Sequence, residues 1–572
     1  MIDKSQVATV LDEIGTLLEL KGENPFKSRA YHNASRIIGA LDQDLESLVT
    51  NKQLTTIKGI GEGLAEKISE YVIEGKSPYL EELQSSLPSG LLDIIRIQGV
   101  GPKRAKILYD KLKVKDIPSL EKACRDGKVA KLEGFGEKSQ ENILKGLAFL
   151  SQHAEQHRYD EAYAAAEAVL AEMKRVPGIK RMSVCGSLRR HKEVIRDIDI
   201  LVSGKNGEAI LERFIKAPQV ERVLGQGETK ASVLLKEGIQ VDVRVLDDKL
   251  FPYALHYFTG SKEHNIAMRQ RAMARGWKLS EYGLFDKSDK LIPCQEETDI
   301  FKKLGLDYIP PEMREDRGEI EAAEEGKLPK LIEPKDIRGV FHVHSTWSDG
   351  RAPLEAMIAE AERLGWEYVG ISDHSKSAAY ANGLTVERVG EQMLAIEKLR
   401  KKFKIHIFWG TECDILKDGS LDYPDKVLAN YDFVIASVHS NFTLPEPEMT
   451  RRIVTAIKSR YVTILGHMTG RLLLERESYP VNHAEVLEAA ASEGVAVELN
   501  ASPHRFDIDW RELPKARELG VKISINPDAH SVAGLGVVPF GVGIARKGWL
   551  TKGDVINTLP LTKITSWLKA KG

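Results

Sequence analysis

After residue 336 the chain alternates apolar, strand-like runs with helical segments, the pattern of an α/β domain built on mostly parallel strands. Most of these runs end in histidines or acids. GVFHVHSTWSDG carries His342, His344 and Asp349; YVGISDHS carries His374; IFWGTECD carries Glu412. FVIASVHS carries His439, VTILGHM carries His467, and KISINPDAH carries Asp528 and His530. Strand ends converge at the C-terminal rim of a barrel, so side chains far apart in sequence meet there. Imidazoles mixed with carboxylates suit Mn²⁺, Zn²⁺ or Fe²⁺ better than Ca²⁺ or Mg²⁺. A lone His-x-His pair is ordinary on a surface, whereas nine ligand-type residues in order at strand ends are not. His406, His483 and His504 fall outside these motifs and read as structural or surface residues.

A different pattern fills the first 150 residues. KGIGEGLAEKI (58–68), QGVGPKRAKIL (98–108) and EGFGEKSQENI (133–143) repeat Gly-apolar-Gly, then polar residues, then a helical apolar spacing. Each reads as a tight turn opening a helix. The glycines let the backbone approach a phosphate, and the helix N-terminus offers free N–H donors. Three copies of one unit are an architectural signal. They resemble the helix-hairpin-helix motif, which holds the DNA backbone without reading sequence. Gly59, Gly61, Gly99, Gly101 and Lys103 are the candidate DNA-binding residues of the first two copies. Around them, Arg96–Lys115 carries seven Lys/Arg against Asp110, a stretch suited to phosphates.

Between about 160 and 250 the chain changes to α plus β, with MSVCG, DIDILVS, ASVLL and IQVDVRVL as strands and an antiparallel sheet expected. Asp197 and Asp199 lie two apart on one strand, hence on one face, and Asp242 sits in another alternating strand. Three such carboxylates can hold two Mg²⁺ ions for attack by a 3′-hydroxyl. Gly186 and Ser187, followed by Arg189 and Arg190, suit a triphosphate.

Bulk properties exclude little but agree. A length of 572 residues implies several domains, and 42% hydrophobic with 29% charged residues is globular. No apolar run is long enough to span a membrane, and the charged, amphipathic start does not read as a signal peptide. Four scattered cysteines (Cys124, Cys185, Cys294, Cys413) form no CxxC pair and fit a cytoplasmic protein. Net charge is −2, so the distribution of charge matters more than its sum. Glu312–Glu325 has seven acids and two arginines, and with 316–335 it reads as a solvated linker.

GSLRR, DID, VDVR, YFTGS and the Asn265/Arg269 spacing occur in one order over residues 1–315, and in that order they resemble the family X DNA polymerases. The resemblance implies a helical lyase-like domain (1–85), a helix-hairpin-helix fingers-type domain (86–152), a nucleotidyltransferase palm with a mixed sheet (153–254) and a small thumb (255–315). It implies Asp197, Asp199 and Asp242 as metal-binding catalytic carboxylates for Mg²⁺ or Mn²⁺, with Asp242 also helping to deprotonate the primer hydroxyl. Gly186, Ser187 and Arg190 are implied to hold the incoming dNTP, and Tyr257, Phe258 and Gly260 to pack against its sugar. Asn265 would meet the base edge and Arg269 the template strand. Lys27 and Tyr31 fall where the family holds a 5′-phosphate, and Lys67 where it has a Schiff-base lysine. Gly63 departs from the family, which commonly has another lysine there.

The late histidines and acids, over 336–572, look like the PHP (polymerase and histidinol phosphatase) family, a distorted (β/α)7 barrel. All nine positions of that family's three-metal cluster are filled, implying a functional phosphoesterase site. The whole is thus expected to be multidomain, α+β followed by α/β. It is expected to act as a monomer on gapped or recessed double-stranded DNA, filling gaps while the PHP domain processes 3′ ends or nicks at baseless sites. Two other readings use the same residues: a non-catalytic DNA-end scaffold, and a polymerase whose PHP half is a phosphomonoesterase.

Overall fold

The computed structural model describes residues 4–570 apart from 40, 42, 43, 96, 98 and 154, with only the backbone of 5, 150 and 152. Arg96 of the basic stretch lies outside the described residues.

The three repeats fold alike. The first glycine of each turns the chain in the left-handed region (Gly59 φ 99°, Gly99 φ 85°, Gly134 φ 81°), where a side chain would be strained. The apolar residue between the glycines is buried at Ile60 and Val100. The second glycine precedes helices Glu62–Glu74, Pro102–Leu112 and Glu137–His153. A Cβ added at Gly61, Gly101 or Gly136 would meet no atom within 4 Å, so these helix starts are open to a large ligand. One apolar core, including Leu11, Ile68, Leu108 and Leu120, unites the helices of this region.

The expected palm region holds a five-stranded sheet ordered Ile179–Val184, Asp197–Gly204, Gln240–Leu246, Lys230–Leu235, Val220–Gln226. It is not the antiparallel sheet that its strand-rich sequence suggests. Its central pair, Asp197–Gly204 with Gln240–Leu246, is parallel, and the other three pairings are antiparallel. Parallel neighbours need a crossover, which helix Gly207–Ile215 begins. Helices Phe251–Thr259, Lys262–Ala274 and Glu297–Lys303 with a short hairpin follow.

Seven strands from Gly339–Val343 to Ile523–Asn526 then pair in chain order, all parallel. A parallel bridge between Val343 and Ala529 brings the first strand beside the end of the last, so the barrel is nearly closed. A register shift lies between Val340 and Val343, where His342 has φ 61°. It breaks the two-residue alternation. Val340 and Val343 join the helix-facing core, while Phe341 joins an inner cluster with Tyr368, Phe408 and Phe433. Among the described residues no helix is long and apolar enough to cross a membrane.

The acidic segment is folded against its neighbours rather than solvated throughout, although Asp316, Glu321, Glu324 and Glu325 stay exposed. Arg314 and Glu319 are fully buried, and Glu315 is nearly so. Arg314 pairs with Glu297 at 2.6 Å, Glu319 with His264 at 2.8 Å, and Glu312 with Arg546 at 2.7 Å. Farther on, Ile332 N–H donates to Leu550 O at 3.0 Å, stitching 316–335 to the barrel. Charge counting misreads this segment because its partners come from 17 to over 230 residues away.

Candidate metal centres and nucleic-acid interface

Strand register assembles the palm carboxylates. Asp199 lies directly opposite Asp242, and Asp197 is two residues back on the same face. Burial first, then the like charges of Asp197 and Asp242, push Asp199 up to about 7. A group of acids this crowded calls for positive charge. Lys230 supplies some, with Nζ 2.5 Å from Asp242 Oδ2, and Gln240 donates to the other oxygen at 3.0 Å. Asp199, Asp242, Lys230, Arg244 and Phe258 line a cavity of about 70 Å³. Gly186, with φ 58°, runs against the Asp199 carboxylate, and a Cβ there would lie 2.4 Å from Asp199 Oδ2. Only glycine permits that approach.

The two arginines of GSLRR part company. Arg189 is committed to structure: its guanidinium bonds Glu297 at 2.7 and 3.0 Å and Thr259 Oγ1 at 2.5 Å. It is therefore not a free triphosphate ligand. Arg190 stays at the site, with Nε 3.1 Å from Glu315 and Nη1 donating to Thr259 O at 2.5 Å. Gly260 (φ 71°) lies against it: a Cβ there would be 3.0 Å from Arg190 Nη1. Tyr257 and Phe258 pack edge to face at 5.2 Å, and Arg244 stacks on Phe258 at 4.8 Å. Asn265 Nδ2 donates to Tyr257 O at 2.7 Å while its buried Oδ1 has no partner, and Arg269 is exposed one turn on.

In the N-terminal domain Lys27, Tyr31 and Lys67 converge on Tyr79, which sequence reading passed over. Lys27 and Lys67 ammoniums lie 5.4 and 5.8 Å from its ring centre, and Tyr31 stacks at 6.1 Å. Lys67 also pairs with Glu70 at 3.1 Å. Gly63 is exposed, with nothing near its missing side chain. Borohydride reduction in the presence of a 5′-deoxyribose-phosphate end is expected to trap an adduct on the full chain, and Lys67→Ala to remove at least nine-tenths of it. Undiminished trapping in that variant would reject Lys67. In the second hairpin Lys103 is exposed, whereas Arg104 braces two hairpins, bonding Gly99 O at 2.9 Å and Gly134 O at 3.3 Å.

The barrel gathers all nine predicted residues. Their ligand-type atoms form four groups, each within 4.8 Å: His344, Asp349, His374, His530; His342, His344, Glu412; His342, His467, Asp528; and His374, Glu412, His439. Glu412 is the hub, within 2.9–3.5 Å of His342, His344, His374, His439 and His467. His342 Nε2, both nitrogens of His344, His374 Nδ1 and His467 Nδ1 are buried without a hydrogen-bond partner. Orphaned lone pairs in a polar interior are costly unless a cation takes them. Burial, then the neighbouring His530 and His374, pushes His344 down to about 3, which keeps its ring neutral for ligation. Against burial, Glu412 and Asp414 push His439 up to about 10, and Glu498, Asp528 and Glu412 hold His342 well above the usual range. The donor set thus fits divalent metal ions. His342 and Asp528 also adopt positive φ, local strain of the kind found at ligand clamps.

Sequence reading missed the residues that orient these ligands. Glu498 accepts from His342 Nδ1 at 2.6 Å, and Asp414 bonds His439 Nδ1 at 2.6 Å. Such carboxylates fix which ring nitrogen faces the metal. Both sit in apolar strands, as Glu412 does, so the same alternation could have found them. Arg505 lies 3.3 Å from Asp528. His406 is half-buried, and His483 and His504 pair with Glu512 and Glu475 outside the cluster. Asp349 and His530 are about one-third exposed and the other ligands nearly buried, so the site opens on their side.

Comparison with known proteins gives concordant matches. Residues 254–315 match the DNA polymerase beta thumb, 2–77 a helix-hairpin-helix domain, 91–148 a SAM-like helix-hairpin-helix tandem, and 341–502 the PHP domain. The chain is 39% identical over 570 residues to the DNA polymerase/3′-5′ exonuclease PolX of Bacillus subtilis (strain 168), covering 99% of both chains. Two of the relatives named as probable phosphatases match only part of the chain. That of Thermoanaerobacter sp. (strain X514) is 30% identical over 40% of this chain and 94% of its own. That of Caldanaerobacter subterraneus subsp. tengcongensis is 28% identical over 37% and 83%.

Proposed function

The chain belongs to the family X DNA polymerases that carry a C-terminal PHP domain, and from that premise we propose that it fills short gaps during DNA repair and processes 3′ ends at a second centre. It is a DNA polymerase with 3′-5′ exonuclease activity. The observation that carries the reading is the coexistence, in a chain matched end to end, of an aspartate triad on paired strands and a buried histidine–carboxylate cluster.

At the palm, Asp197, Asp199 and Asp242 would hold Mg²⁺ or Mn²⁺, and Asp242 would take the primer-hydroxyl proton. Gly186, Ser187 and Arg190 would bind the dNTP phosphates. The turn at Tyr257, Phe258 and Gly260 would exclude a 2′-hydroxyl, Asn265 would meet the base edge, and Arg269 the template. Gly59, Gly61, Gly99, Gly101 and Lys103 would hold duplex backbone on either side of the gap, and Lys27 and Tyr31 its 5′-phosphate. In the barrel the nine residues would hold three ions of Mn²⁺, Zn²⁺ or Fe²⁺. Bound ions supply Lewis acidity at both centres, acidifying the attacking hydroxyl or water and neutralising the leaving oxygen. The chain's own part in the barrel is to present the imidazole and carboxylate donors, to orient His342 and His439 through Glu498 and Asp414, and to admit a phosphodiester past Asp349 and His530. We assign the protein to the cytoplasm and to a monomeric state.

The probable phosphatases among the relatives favour a second reading, a phosphomonoesterase in the barrel. One experiment separates the two. With Mg²⁺ or Mn²⁺, the protein should add one nucleotide to a one-nucleotide gap bearing a 5′-phosphate. It should release mononucleotides from a recessed 3′ end at least ~100-fold faster than it dephosphorylates a nucleoside monophosphate. The reverse preference would establish the phosphatase, and no incorporation with either ion would remove the polymerase.

A further inference from the structure

The loop that follows the nucleotide-binding Ser187 does not end in the palm; it is plugged into the barrel domain. His191, with φ 56°, stacks on Tyr159 at 4.0 Å and lies against Gly543, where a Cβ would fall 2.0 Å from its Nε2. Two residues on, the buried Glu193 accepts from Trp510 Nε1 at 3.1 Å and pairs with Arg471 at 3.2 Å, both barrel-domain residues.

Lys547, the last residue of helix Val538–Lys547, closes this contact from the barrel side. It is 1% exposed. Its Nζ donates to Arg190 O at 3.0 Å, Glu312 O at 3.3 Å and Glu315 Oε1 at 2.5 Å. That same Glu315 oxygen holds Arg190 Nε at 3.1 Å, and the other holds Lys192 at 3.2 Å. A single carboxylate thus serves three cations. Arg190 Nε and Nη1 are both occupied by protein, and Nη2 makes no hydrogen bond among the described residues. A buried ammonium is tolerated only when its partners are in place.

We propose that Lys547 of the barrel domain is a positioning residue for the polymerase: it sets Arg190 for the incoming triphosphate by capping the Arg190 carbonyl and by sharing Glu315 with its guanidinium. The proposal rests on the reading of Arg190 as a triphosphate ligand. Two consequences of losing the ammonium point the same way. The Arg190 carbonyl loses a donor, which destabilises the loop conformation. Glu315, relieved of one cation, draws more strongly on Arg190 and competes with the phosphates. The histidine cluster shares none of these contacts, so nuclease activity is insulated from the change.

Steady-state incorporation of a single dNTP into gapped DNA tests this, with 3′-5′ exonuclease rate on the same preparation as the measure of fold. Lys547→Met should raise the KM for dNTP about tenfold, change kcat no more than about twofold, and leave the exonuclease rate within about twofold. Gly543→Ala, whose methyl must displace His191, should raise the same KM from a position that carries no charge. Arg190→Ala sets the scale. If Arg190→Ala raises KM but Lys547→Met and Gly543→Ala, both active as nucleases, do not, the coupling is wrong. If Arg190→Ala leaves KM unchanged, the assignment of Arg190 itself is wrong and the coupling with it. Should Lys547→Met lose both activities together, Gly543→Ala decides.

Discussion

An Asp199→Ala protein is expected to lose nucleotide incorporation by at least ~1,000-fold, about 4 kcal/mol of transition-state stabilisation, while its 3′-5′ exonuclease stays within about twofold of the parent. Asp199 is the most buried of the three palm acids, faces Asp242 across the parallel strand pair, and supports the Gly186 turn, whose backbone passes over its carboxylate. Alanine removes a ligand that the proposed pair of ions would need, and leaves Asp197 and Asp242 with too little charge to hold them. The change relieves like-charge crowding, so folding should not suffer; if anything, thermal stability without metal should rise slightly. Primer extension and exonuclease assays on one preparation check it. A folded variant that lost both activities would refute two separate centres.

The mirror experiment is Glu412→Gln. Glu412 touches five imidazoles and has no other reason to lie fully buried. Glutamine keeps its size but removes the charge that stabilises ions shared among the four ligand groups. Exonuclease activity should fall by at least ~1,000-fold, and tightly bound metal, measured by elemental analysis, should fall with it. Gap filling should persist, which also certifies the fold. Retention of full metal content with full nuclease activity would exclude Glu412 as the hub.

Much of the candidate chemistry was legible along the chain because it follows local rules. Asp197 and Asp199 face one way because strands alternate every two residues. The hairpin glycines are recognisable because a left-handed turn before a helix needs them at fixed spacing. The barrel ligands stand out because most of them close, or closely follow, an apolar run at a strand end. The same rules stop short where a residue's role depends on its partner. Arg189 and Arg190 are adjacent and identical, yet one is locked to Glu297 and the other pairs with Glu315 beside the proposed nucleotide site. Glu498 and Glu412 are both acids in apolar strands, yet one orients an imidazole and the other sits among five of them. Nor could the pattern show that His342 stands at a register shift that turns it inward.

Local patterning, then, settled the kind of each element and the residue types that end it, since helix periodicity, strand alternation and turn glycines act over a few residues. Tertiary approach settled the rest: the parallel pairing that sets Asp199 beside Asp242, and the burial of Arg314, Glu315 and Glu319 within an acidic segment that reads as solvated. It also placed Lys547 next to Arg190, 357 positions away in the chain. Ion pairs and shared ligands of that kind depend on distances of a few ångströms between segments remote in sequence, and no short-range pattern carries that information.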